Sequence, residues 1–87
     1  MAKYVIESPH TPEECLQALD EIAEKGLDVL NKFVWGCAHG EHTGYAYIDA
    51  ESEKEACALV PEFLQDKAKI IEVSKFTIEQ IKSFHEK

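Results

Sequence analysis

Between residues 35 and 44 the chain reads WGCAHGEHTG, and Cys37, His39 and His42 fall within six positions. Thiolate sulfur and imidazole nitrogen are the donors that borderline transition metals prefer, so Zn, Ni or Cu are the ions such a stretch would take. Glu41 adds a carboxylate able to supply an oxygen or to accept a hydrogen bond from a ligating imidazole. Gly40, between the two histidines, gives the backbone freedom to turn both toward one point. The spacing C-x-H-x-x-H is not that of a structural zinc finger, and no C-x-x-C pair completes a tetrahedral cage. Any ion would therefore be finished by His10, by water or by another subunit. The same letters also describe a solvated hairpin tip, with Cys37 as a small buried apolar residue and the histidines in water.

The elements around the stretch decide which other donors reach it. Lys3 to Glu7 (KYVIE) is a β-prone run closed by Ser8-Pro9-His10. Thr11, Pro12 and Glu14 spell a helix start: an N-cap, a proline where no amide is needed, and the third-position acid of a capping box. Leu16, Leu19, Ile22 and Ala23 are expected to form its apolar stripe, and Gly26 to end it. LDVLNKF then reads either as a further helical turn or as a connection. The β signal runs from Phe33 to Ala38 and again from Gly44 to Ala50, which leaves residues 39–43 as a five-residue hairpin loop.

Ser52 with Glu55 opens a second helix whose buried side is Ala56, Leu59, Val60 and Phe63, and Pro61 must kink or divide it. Lys69 to Phe76 is the fourth strand. Thr77 with Gln80 caps a closing helix over about residues 77–86, with Ile78, Ile81 and Phe84 along one face. The 87 residues form one α+β domain, in the β-α-β-β-α-β order of the ferredoxin-like split unit followed by a C-terminal helix. Right-handed crossovers put strand three between strands one and two, with strand four beside strand one. The end of strand one, the start of helix one and the hairpin then share one edge. His10 is expected there beside Cys37, His39 and His42, with Cys15 in the first helical turn on the same side.

Alternation places Val5, Val34, Ala46 and Ile48 on one side of the sheet, and Tyr4, Ile6, Phe33, Trp35, Tyr45 and Tyr47 on the other. Helices cover only one side. The aromatic side, with Tyr4, Trp35, Tyr45 and Tyr47, is expected to bind a small ligand or to pack on a second copy of the sheet.

With this order of elements the chain resembles the dimeric α+β barrel superfamily, most closely over GYAYIDAESEKEACALVPEFLQDKAKIIEVSKFT. The resemblance is to its small families with a hairpin, a G-[FY]-A strand ending in an acid, a short helix and a strand carrying an E-V pair. It implies a homodimer whose sheets pack face to face around a shared interior. Nickel-binding proteins occur among such relatives, as do haem-degrading and quinol-type monooxygenases and lactone isomerases. A cofactor-free monooxygenase or isomerase with its site inside the barrel is therefore an alternative to metal binding. A haem-degrading relative would carry a histidine on helix two, and this helix has none. TGYAYIDA also resembles the RNP1 stretch of RNA-recognition motifs, with Tyr45 and Tyr47 at the base-stacking positions and Tyr4 as a third platform. Thr43 and Ala50, however, stand where that motif has a basic and an aromatic residue.

Charge weighs against the RNA reading. Seventeen acidic residues face nine lysines and no arginine, a formal charge of −8, which disfavours phosphate backbones and anionic membrane surfaces. No glycine-rich phosphate loop, nucleotide-cofactor signature or G-x-S-x-G nucleophile is present. Three widely spaced cysteines, Cys15, Cys37 and Cys57, do not make a disulfide framework and are expected as free thiols in a reducing cytoplasm. No apolar run is long enough to cross a bilayer. The sequence thus leaves three readings: a homodimer binding a metal or small ligand at the hairpin end, an enzyme with an interior site, and a sheet-binding or pure dimerisation module.

Overall fold

The computed structural model describes residues 2–85. Four strands form one sheet: β1 (Ala2–Pro9), β2 (Phe33–Trp35), β3 (Thr43–Ala50) and β4 (Lys69–Val73), in the order β2-β3-β1-β4 with every pairing antiparallel. Strand three lies between strands one and two and strand four lies beside strand one, as the crossover rule requires. The helices are α1 (Cys15–Lys25), α2 (Leu27–Leu30), α3 (Glu53–Cys57) and α4 (Ile78–His85). The molecule is α+β, an open antiparallel sheet with helices against one face.

Residues opposed across an antiparallel pair point to the same side of the sheet. Tyr4 faces Ile48, Ile6 faces Ala46, and Phe33 also faces Ala46, so these five share one side. All are buried, and they meet Ala18 and Ile22 of α1 and Ala56 of α3 in the core. Fully burying a side chain the size of Ile6 or Ile22 stabilises the fold by about 1.5–3 kcal/mol.

This register corrects the face assignment expected from alternation. Tyr4 and Trp35 lie on the helix side, whereas Val5, Val34, Tyr45 and Tyr47 lie on the open side. Alternation fixes sides within one strand, but the offset between strands comes from pairing, and a one-residue offset exchanges the faces. The pairing here buries the small, flat Ala46 and Ala50 with Ile48 beneath the helices and turns the tyrosines of β3 outward. The open side still carries apolar groups: Val34 is 66% exposed, Tyr47 51% and Ile71 45%.

The stripe of α1 is also rotated from its expected position. Leu16 and Ala23 are exposed; the inward residues are Cys15, Ala18, Leu19 and Ile22, an i, i+3, i+4, i+7 set. Cys15 therefore continues the buried face of the helix at its N-terminal end. After α3 the chain bends at Pro61, and a short 3-10 turn (Glu62–Leu64) puts Leu64 into the core. The LDVL segment is helical, as α2, and contributes Val29 to the core.

Helix α4 starts as expected, with Thr77 and Gln80 exchanging side-chain and backbone hydrogen bonds at 2.8 and 3.2 Å. Glu86, the expected last residue of this helix, lies outside the described residues. None of the residues of α4 is buried; Phe76 packs edge-on against Phe84 at 5.4 Å, and Ile78 and Ile81 remain exposed. The described chain is elongated, 51 × 28 × 22 Å.

Candidate metal centre

His10 follows directly on β1, and its backbone amide donates to the carbonyl of His42 at 3.0 Å, one step beyond the β1–β3 ladder. That bond fastens the end of β1 to the base of the hairpin. Cys15 is set by the start of α1. Thr11 Oγ1 accepts from the Glu14 amide at 3.2 Å, and the Thr11 amide donates to the Glu14 carboxylate at 2.9 Å. Donation from the Thr11 amide holds the Glu14 carboxyl below its usual range; Lys67, 3.5 Å away, adds to this against the opposing effect of partial burial. The residue after this double cap is Cys15.

The hairpin departs from the expected five-residue loop. Strand β2 stops at Trp35 and β3 begins at Thr43, so residues 36–42 form the connection. Gly36 donates to Thr43 at 3.1 Å, and its carbonyl accepts from His39 at 2.9 Å and from Glu41 at 3.0 Å. A Cβ at Gly36 would sit 2.7 Å from the Glu41 carbonyl oxygen, so the loop folds this tightly only around glycine. The chain then makes a 3-10 turn over Cys37–His39 and leaves it through Gly40 at φ +88°, in the left-handed region. Cys37 belongs to this turn and not to a strand.

The outcome is a cluster of four donors. One donor atom from each of His10, Cys15, Cys37 and His42 lies within 4.8 Å of all the others. His10 Nε2 is 3.2 Å from Cys37 Sγ, and the His10 and His42 rings meet edge-on at 5.9 Å. His10 is buried; the other three are half-buried. No protein-family model matches the chain, and no curated protein or solved structure matches it. What the cluster can do rests on its own atoms.

Those atoms fit an ion. Donors 2.0–2.3 Å from a tetrahedral metal stand about 3.3–3.8 Å from one another, so shifts of about 1 Å at most would seat all four. Nδ1 of His10 and Nδ1 of His42 are both buried without a hydrogen-bond partner among the described residues. A buried polar atom left unpaired costs about 1–3 kcal/mol, and coordination removes that cost only for a ring nitrogen that itself faces the ion. Burial pushes the Cys37 thiol up from its ordinary value; the Cys15 thiol beside it adds to the rise, and a backbone hydrogen bond opposes it. An ion would replace that proton and stabilise the thiolate.

Of the hairpin residues singled out in the sequence, Cys37 and His42 enter the cluster with His10, while His39 is exposed at the end of the turn and contributes no donor. Its place is taken by Cys15, which the topology had put on this side without assigning it as a ligand. The i+3, i+4, i+7 relation of Cys15 to Ala18, Leu19 and Ile22 is the signal that identifies it. Glu41 is exposed, and its carboxylate accepts from the Thr43 hydroxyl at 3.2 Å. Trp35 forms a wall: its ring lies 6.0 Å from His10, stacks on Phe33 at 5.7 Å and covers Gly44. Cys57 and His85 are not part of the cluster.

Proposed function

We propose that this protein holds a single transition-metal ion between His10, Cys15, Cys37 and His42, with Zn favoured over Ni or Cu. The mutual approach of four soft and borderline donors to within 4.8 Å carries the reading. Two sulfurs and two imidazole nitrogens match Zn, which takes four-coordinate sites with thiolate and histidine ligands. Four protein ligands leave no open position for substrate, so the site is one that retains an ion and ties β1, α1 and the hairpin together, and not a hydrolytic centre. Elemental analysis of untagged protein purified without chelator tests this: about one Zn, Ni or Cu per chain is expected, and protein that takes up none of the three, even on titration, contradicts it.

A homodimer of the ferredoxin-like, dimeric α+β barrel type is the second part of the proposal. The exposed apolar side chains of the open sheet face, Val34, Tyr47 and Ile71, support it, as does the uncovered apolar side of α4. No helix of the described residues is long and apolar enough to cross a membrane. The three free cysteines fit a reducing compartment such as the cytoplasm.

A further inference from the structure

The two sulfurs of the cluster are near enough to react with each other. Cys15 Sγ and Cys37 Sγ are within 4.8 Å. They sit at ends of elements, Cys15 as the first residue of α1 and Cys37 as the first of the 3-10 turn. Small rotations there disturb little of the core. Both are half-buried, so a small oxidant can reach them, while Cys57 on α3 stands outside the cluster and has no such neighbour in it.

We propose that Cys15 and Cys37 are a peroxide-responsive thiol pair that closes to a disulfide and thereby releases the metal, a regulation that rests on the metal-site reading above. One thiolate attacks the peroxide O–O bond to give a sulfenic acid and hydroxide. The second thiolate then displaces hydroxide from that sulfur, forming the S–S bond. Two electrons pass from the sulfur pair to the peroxide, and two protons turn the hydroxides into two waters. Zn neither gives nor takes an electron. The disulfide offers no thiolate, so only His10 and His42 remain as donors and the ion leaves. Thiol reductants reverse the bridge and restore the four-donor set.

The test treats zinc-loaded and metal-free protein with hydrogen peroxide. Peptide mass mapping reads the bridge, and a chromogenic zinc chelator reads the release. The expected result is a Cys15–Cys37 disulfide in both samples, about one equivalent of zinc freed per disulfide formed, and recovery of zinc binding after dithiothreitol. Cys57→Ser should behave like wild type in both readouts. Oxidation that stops at sulfinic acid, bridges Cys57, or leaves zinc bound after the disulfide has formed overturns the proposal. Protein that never holds zinc but still forms the bridge refutes the metal reading and the release step, and the metal-free sample separates that result from a failure of the two sulfurs to pair.

Discussion

His10 Nε2 stands 3.2 Å from Cys37 Sγ, although 27 positions separate the two residues in the chain. The contact exists because β1 runs antiparallel to β3 until Pro9 faces Thr43, after which the His10 amide bonds to the His42 carbonyl. If the cluster is a metal centre, His10→Ala, Cys15→Ser, Cys37→Ser and His42→Ala should each weaken zinc binding more than about 100-fold, beyond the 10–100-fold typical of losing an outer-shell partner. His39→Ala should leave the affinity unchanged. Competition titration against a chelator of known affinity reads both. An effect of His39 comparable with that of His42 would mean the hairpin rearranges on binding.

Gly44 makes a separate prediction about the wall of the site. A Cβ there would lie 2.8 Å from the Trp35 ring. Gly44→Ala must push the indole off β3, and overpacking of this sort costs about 1–3 kcal/mol. In a domain of this size each kcal/mol lowers Tm by about 4–8 °C. Thermal unfolding followed by fluorescence of Trp35, the chain's only tryptophan, should show the loss. An unchanged Tm would indicate that the ring does not lie against Gly44.

The Cys37 thiol gives the dependence on pH. Burial raises its pKa in the folded state, so the fold favours the protonated form. In metal-free protein that contribution is present in full below the thiol pKa of the unfolded chain. It is lost as pH rises from there through the raised folded value. Urea midpoints of metal-free protein should therefore fall above the ordinary thiol range, and Cys37→Ser should flatten the fall. With metal the sign reverses: the ion displaces the proton, so affinity increases with pH and binding releases protons. Calorimetry in buffers of different ionisation enthalpy counts them.

The open sheet face predicts the state of assembly. If a second copy covers Val34, Tyr47 and Ile71, then Val34→Glu places a charge in that contact and should convert a dimer to a monomer in sedimentation. A wild-type protein that sediments as a monomer at high concentration would leave the face without the proposed partner.

Much of this arrangement was legible in the sequence. The capping residues Thr11, Ser52 and Thr77 mark helix starts through local chemistry, and each accepts the hydrogen bond its type predicts. The strand order follows from crossover handedness, and it brings His10 to the hairpin. The faces of the sheet were not legible, because the register of β1 on β3 is a property of the pair and not of either strand. Nor was the exchange of His39 for Cys15. It depends on how far Gly36 tightens the loop, which draws Cys37 out of the strand and turns His39 to solvent. It depends also on the rotation of α1, where Leu16 is left exposed and the smaller Cys15 faces inward.

Titration of the reduced, metal-free protein with Co(II), followed by displacement with Zn(II), reads the four-donor centre itself. A centre made by His10, Cys15, Cys37 and His42 predicts saturation at one ion per chain, with thiolate-to-cobalt charge-transfer bands and the intense visible bands of tetrahedral cobalt, all abolished in the double variant Cys15→Ser, Cys37→Ser and erased by one equivalent of zinc. Only the weak absorption of octahedral aqueous cobalt, unchanged by the protein, would contradict it.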